Sequence, residues 1–258
     1  MTLSEADVGR YSRQLVLPEW SGAAQQRLRE ARVAVVGAGA LGGPVGAYLV
    51  GAGVGRLDVI DSDRVELSNL HRQILFTEAD VGEPKAAAAA RRLAPVNRGV
   101  EVSGREVRLD EENAAGLLEG ASVVVDCSDS FPTRYAVNDA ACAAGTPLVE
   151  AGVLGLEGLV LSVRPGRSAC YRCAFPVAPP PGSVPSCREG GVLGPVAGLV
   201  ASVQALEALK LLSGVGEPLL DRMLQLDARD MTQMLVSTRR RPECPACARV
   251  PVATAAAA

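Results

Sequence analysis

Three groups of residues in this chain could carry chemistry. The first is a G-x-G-x-x-G run, Gly37, Gly39 and Gly42, which follows the apolar stretch RVAVV; an acid, Asp61, closes the next apolar stretch. Glycines let backbone N–H groups approach a phosphate, the helix start adds partial positive charge, and the acid accepts ribose hydroxyls. The pattern predicts a nucleotide without saying which, and alone it suits NAD. The second group lies in DSDRVELSNLHRQILFTEADVGEPKA, which supplies Asn69, Arg72, Gln73 and Lys85. A triphosphate carries about four negative charges near neutrality and needs cations beyond a helix dipole. The chain has no G-x-x-x-x-G-K-[ST], so an ATP site must recruit separate basic residues. Arg72 and Lys85 meet that need; a solvated charge run at a loop-to-helix junction would look the same. Asp126 and Asp129, in DCSDS, follow the apolar SVVV at the strand end where open α/β sheets bind ligands. An acid there can hold Mg²⁺ on phosphates, or form an Asx turn or helix cap.

The third group is sulfur. Of seven cysteines, four form two CxxC pairs, Cys170 with Cys173 and Cys244 with Cys247. Four thiolates can close a tetrahedral Zn²⁺ shell with no open position, which is a structural metal. The 70 residues between the pairs are more than a local zinc ribbon has, so the spacing is only suggestive. Cys187 stands beside Arg188, whose charge favours thiolate, in a Pro-, Gly- and Cys-rich stretch. Cys127 and Cys142 read as small buried hydrophobes.

The elements that must position these groups alternate. Ser21 is placed to cap a helix through Ala31, and strands are expected at RVAVV, RLDVID, VEVSGREV, SVVVD and PLVEAGV. Helices are expected after the glycines, over 84–94 with Pro84 in the first turn, and from Pro132 to Ala144. Nearly all-apolar strands separated by helices mean a mostly parallel sheet covered on both faces. After Gly152 the rhythm changes: LEGLVLSVRP, MLQLD and MTQMLVS predict an antiparallel extension, with a helix before the last two. The expected fold is therefore α/β, a Rossmann-like mostly parallel sheet with an antiparallel C-terminal extension and a structural zinc site.

Bulk properties exclude some classes. The 258 residues are 48% hydrophobic and 21% charged, with a formal net charge of -3 and basic residues scattered rather than striped. That disfavours a nucleic-acid surface. The start lacks the apolar stretch of a signal peptide, and the Ala-rich run of 197–212 carries Glu207 and Lys210, so no membrane segment is expected. A cytoplasmic location follows. The last residues, 251–258, read as a flexible tail.

Taken together, RYSRQ, VVGAGALGG, IDSDRVELSNLHRQILF, VGEPKA, DCSDS, CYRC, SCREGGVLGP and CPAC resemble the MoeB/ThiF family, in family order over nearly the whole chain. The resemblance implies one adenylation domain over 1–250. Residues 30–152 would form its nucleotide-binding half and 153–250 its carrier-binding and zinc half, with a crossover loop at about 174–190. It implies ATP-dependent adenylation of the C-terminal Gly-Gly carboxylate of a small ubiquitin-like sulfur-carrier protein. Gly39 and Gly42 would line phosphates, Asp61 would bind ribose, Asn69, Arg72, Gln73 and Lys85 would contact the triphosphate, and Asp129 would hold Mg²⁺. Arg13 would reach into the site of a homodimer partner, and Cys187 joins the activated carrier covalently in some members. Sulfur would come from a separate donor. His71, the sole histidine, is not needed as a base, because a terminal carboxylate with a pKa of about 3.5 is already ionised. Three rivals remain: an NAD-dependent oxidoreductase, an ATP-dependent enzyme acting on another substrate such as tRNA, and a non-catalytic zinc-stabilised interaction module that binds carrier without ATP turnover.

Overall fold

The computed structural model describes residues 3–180, 182, 183 and 187–250, apart from the side chains of 187 and 188. Its frame is an eight-stranded sheet in the order β3-β2-β1-β4-β5-β6-β7-β8. The first five strands are β1 (Arg32–Val36), β2 (Arg56–Ile60), β3 (Glu101–Arg105), β4 (Val123–Asp126) and β5 (Leu148–Leu154). They pair in parallel, whereas β6 (Glu157–Val163), β7 (Arg222–Asp227) and β8 (Thr232–Ser237) continue the same sheet antiparallel from β5. The expected architecture is present, and both halves anticipated from sequence share one sheet.

Two apolar layers cover the parallel strands. Val33, Val35, Val123, Val125 and Val149 face α3 (Gly42–Ala52), α4 (Lys85–Leu93) and α9 (Gly194–Ser213). Ala34, Val36, Val124 and Leu148 face α5 (Ala114–Leu118) and α6 (Phe131–Ala144). Each buried Val or Leu among them contributes about 1.5–3 kcal/mol, and continuous apolar strands are what two-sided burial requires.

Where the boundaries differ, the reasons are local. Pro84 is the cap of α4 rather than a residue of its first turn, with φ -59° and ψ 129°. The helix expected over 197–212 starts at Gly194 because Pro195 suits a first turn. Helix α1 (Glu5–Leu15) carries a reciprocal cap, Ser4 with Asp7, and was not anticipated. Short helices α7 (Tyr171–Ala174) and α8 (Cys187–Gly190) interrupt the expected long loop, and α2 (Gly22–Glu30) starts from Ser21 as expected.

By length and composition alone α9 could cross a membrane. It packs on β4, β5 and β6, and its buried Glu207 is fully engaged. That carboxylate accepts from Ser162 Oγ at 2.7 Å, Leu219 N at 2.6 Å and Lys210 Nζ at 2.5 Å. A charge satisfied in this way ties α9 to β6 and suits a core helix.

Candidate functional site

Strand order reverses between β1 and β4, and that reversal opens a crevice at their carboxyl ends. Gly37 leaves β1 with φ +93°, and a β-carbon there would stand 2.8 Å from the Cys127 carbonyl oxygen. Gly42 lies against the Gly37 carbonyl and closes the turn, while Gly39 lines the cleft. Asp61 accepts from Ala38 N and from Asp63 N, both at 2.7 Å, so it shapes the glycine turn as well as facing the cleft. Burial raises its pKa, against the pull of the Ala38 N–H and Lys85. Each of its oxygens keeps a second lone pair with which a hydroxyl could bond.

The cleft, about 1080 Å³ including its open mouth, brings together Gly37, Gly39, Asp61, Arg72, Gln73, Lys85 and Asp129. Lys85 is 6% exposed and its Nζ lies 2.9 Å from Asp63 Oδ2. Arg72 is braced by Ser68 O at 3.0 Å and faces His71 Nε2 at 2.9 Å. His71 itself is exposed. Asn69 is buried behind this segment rather than lining the cleft; its carbonyl accepts from Arg72 N and Gln73 N at 3.1 and 2.9 Å. Asp126 is likewise outside the lining and fully buried, with Ser128 N on its Oδ1 at 2.8 Å, whereas Asp129 is exposed to the cleft. Arg13 is exposed on α1 and does not line the cleft of its own chain. The Cys187 side chain lies outside the described residues.

Sequence reasoning missed Arg108, Ser128, Thr133 and Arg134, which also line the cleft. For Arg134 a signal existed: it is a lone arginine among the apolar positions of α6, and buried arginines need partners. Arg108 follows β3 in a loop, where nothing local marks it.

A second cavity opens beside the first, with Asp129, Arg134 and Val153 in the walls of both. It runs over the antiparallel extension, lined by Phe131, Tyr171 and Phe175 together with Leu159, Gln225 and Met234. Gly152 and Gly158 also line it, the space beside Gly152 being taken by the Arg134 guanidinium and that beside Gly158 by Val200 of α9.

The two CxxC pairs, far apart in sequence, converge. The four Sγ atoms lie within 4.8 Å of one another, with Cys170–Cys173 at 3.8 Å, Cys170–Cys244 at 3.6 Å and Cys173–Cys247 at 3.5 Å. Tetrahedral Zn²⁺ with bonds of about 2.3 Å separates its sulfurs by about 3.8 Å, so the residues fit the metal. All four are free and buried, and burial pushes the Cys247 thiol up. A bound cation would favour the ionised form of all four. Arg241 N reaches Cys173 Sγ at 3.3 Å, the backbone donor that commonly steadies a thiolate. Cys127 and Cys142 are buried, as expected.

A glycine turn at the switch point, a basic cleft beyond it and a closed thiolate cluster define a nucleotide-binding α/β protein with a metal-fitted brace. The ThiF family model matches residues 11–246, and the chain belongs to that family. It is 48% identical over 256 residues to the sulfur carrier protein adenylyltransferase of Thermus thermophilus, covering 97% of this chain and 94% of that protein. It is 46% identical over 247 residues to the SAMP-activating enzyme E1 of Haloferax volcanii, covering 96% and 91%. The Sus scrofa adenylyltransferase and sulfurtransferase MOCS3 is 46% identical over 98% of this chain, which spans 56% of that protein's length. Among solved structures, E. coli MccB with ATP superposes with a TM-score of 0.83 at 25% identity, covering 92% of this chain and 74% of the other.

Proposed function

We propose that this chain is a cytoplasmic adenylyltransferase that uses ATP to activate the C-terminal Gly-Gly carboxylate of a small ubiquitin-like sulfur-carrier protein. The observation that carries this reading is convergence: Arg72, Lys85 and Asp129 share one cleft with Gly39. Relatives named for the same reaction support it over nearly their whole length. An NAD site would leave that concentration of cationic groups unexplained.

Gly39 and the α3 N-terminus would receive phosphates, Asp61 the ribose, and Arg72, Gln73 and Lys85 the triphosphate, with Gly37 and Gly42 shaping the turn and Asn69 the segment behind it. Asp129 would hold Mg²⁺, which neutralises charge on the departing pyrophosphate. The carrier's tail would enter through the groove over the antiparallel extension. The carboxylate is already an ionised nucleophile, so catalysis consists of alignment and charge neutralisation, without a base. Arg13 would complete the site of a homodimer partner, Cys187 would act in the later sulfur step with a separate donor, and Zn²⁺ on the four cysteines would brace the fold. Residues 30–152 would serve the nucleotide and 153–250 the carrier.

The test is incubation with ATP and each candidate carrier, read by pyrophosphate release and by intact mass. A carrier heavier by one AMP is expected. Pyrophosphate release indifferent to the carrier's terminal Gly-Gly would overturn the reading.

A further inference from the structure

We propose that Arg134 is a catalytic residue that binds the carboxylate of the acyl substrate where the two cavities meet, and that Asp126 and Glu150 are the buried pair that positions it. The inference rests on the adenylation reading and adds a role for three residues that reading does not use.

The placement comes first. Arg134 is 8% exposed and lines both cavities. Its Nη2 donates to Ser128 O at 2.8 Å. A β-carbon on Gly152 would stand 3.0 Å from Nη1 and 3.2 Å from Nη2, so the glycine leaves the space the guanidinium fills. Among the described residues Arg134 is the one basic side chain lining the groove, against Asp129, Glu157 and Asp227. A chain end that arrives there as an anion meets acids everywhere else. Burying a carboxylate without a partner is expensive, and a guanidinium offers the planar fork that matches both of its oxygens.

The support beneath is unusual. Asp126 and Glu150 are register partners on adjacent parallel strands, both wholly buried on the α6 face of the sheet. Asp126 Oδ2 and both Glu150 oxygens have no hydrogen-bond donor among the described residues. Two carboxyls set side by side in this way oppose each other's ionisation. Burial raises both, Glu150 well above its usual range with Asp126 adding to the effect. The charge that opposes this rise at both carboxyls is that of Arg134. The other titratable groups around it are the Tyr171 phenol on α7 and the Cys127 thiol, both pushed up by burial and so neutral.

In the step itself one carboxylate oxygen forms a bond to the α-phosphorus. The bond from that phosphorus to the bridging oxygen breaks, and pyrophosphate leaves with the electron pair. No proton and no redox equivalent moves. Arg134 holds the second carboxylate oxygen, which becomes the acyl carbonyl of the adenylate.

The test separates nucleotide binding from acyl transfer. Arg134→Gln should bind ATP within about threefold of wild type yet lose about 100-fold or more in carrier-dependent pyrophosphate release. Arg134→Lys should recover part of that loss and raise KM for the carrier. Glu150→Gln should cost less than about tenfold, since its amide stands in for the protonated acid, whereas the Asp126→Asn/Glu150→Gln double variant should resemble Arg134→Gln. Arg134→Gln turning over within about threefold of wild type, or losing ATP affinity in step with turnover, would overturn the proposal. A second readout does not depend on adenylation. Without ATP, wild type should bind a synthetic peptide ending in a free Gly-Gly carboxylate more tightly than its amide, and Arg134→Gln should lose that preference. Wild type that binds acid and amide alike, or neither, would sink the assignment even if adenylation stands.

Discussion

A β-carbon on Gly42 would stand 1.9 Å from the Gly37 carbonyl oxygen, so the two ends of the glycine turn are in backbone contact. Gly42→Ala should force the turn open while leaving the sheet folded. ATP affinity should fall about 30-fold or more, with melting lowered by only a few degrees. Titration of a fluorescent ATP analogue beside a melting curve checks this; unchanged affinity would mean that the turn does not hold the phosphates.

Lys85 and Arg72 are cations already in place in the cleft, one nearly buried beside Asp63 and the other braced by Ser68. Replacing either with Ala should cut carrier-dependent pyrophosphate release by about 100–1000-fold, the usual loss when a preorganised charge is removed. Melting should hardly move for Arg72→Ala, which sits at the surface of the cleft. Equal losses in turnover and in melting temperature would point to misfolding instead.

The thiolate cluster joins positions 74 residues apart, Cys170 with Cys244 and Cys173 with Cys247. Purified protein should contain one zinc per chain by elemental analysis. Cys244→Ser, or prolonged chelation, should lower melting by about 10 °C, because a buried ligand set left without its cation loses several kcal/mol. Adenylation by the fraction still folded should persist, since the shell offers no position to a substrate.

Asp58 is wholly buried in β2 between Arg32 at 2.6 Å and Arg56 at 2.9 Å. Burial pushes its carboxyl up, but hydrogen bonds from Ser103, Arg32 and Arg56 outweigh that and hold it below the usual range. A depressed carboxyl stabilises the fold above its unfolded pKa of about 3.9, and the contribution fades as pH falls through the folded value. Urea titrations should therefore show stability dropping below about pH 4. Asp58→Asn should cost about 2 kcal/mol at pH 7, a modest figure because both arginines are partly solvated, and should flatten the acid limb. A mutant curve parallel to wild type across that range would exclude the ion pair as its source.

Most of the frame was legible in the residues because its signals are local. The apolar runs at RVAVV and SVVVD, the spacing of Gly37, Gly39 and Gly42, and the two CxxC pairs each announce themselves within a few positions. Helix α1 escaped because its opening turn, SEAD, is polar and its fixing contact is distant: Asn97 Nδ2 donates to the Tyr11 hydroxyl at 2.8 Å. Asn69 and Asp126 looked like neighbours of the ligand by composition, yet backbone bonds turn both inward. Arg108 and Arg134 were overlooked for the opposite reason: tertiary packing brings them to the cleft from β3's loop and from α6. Spacing along a chain reports elements well and convergence poorly.

Strand β5 bonds in parallel to β4 through Glu150 and antiparallel to β6 through Gly152, within three consecutive residues. One unbroken ribbon therefore underlies both the nucleotide cleft and the groove beside it. Among the described residues no break in the sheet separates the two sites, so their relative placement is settled when the chain folds, while each substrate gives up its own freedom on binding. What is surrendered once, during biogenesis, is the freedom of the protein groups that align them. Selectivity between chain ends would then rest on which of them can thread the groove.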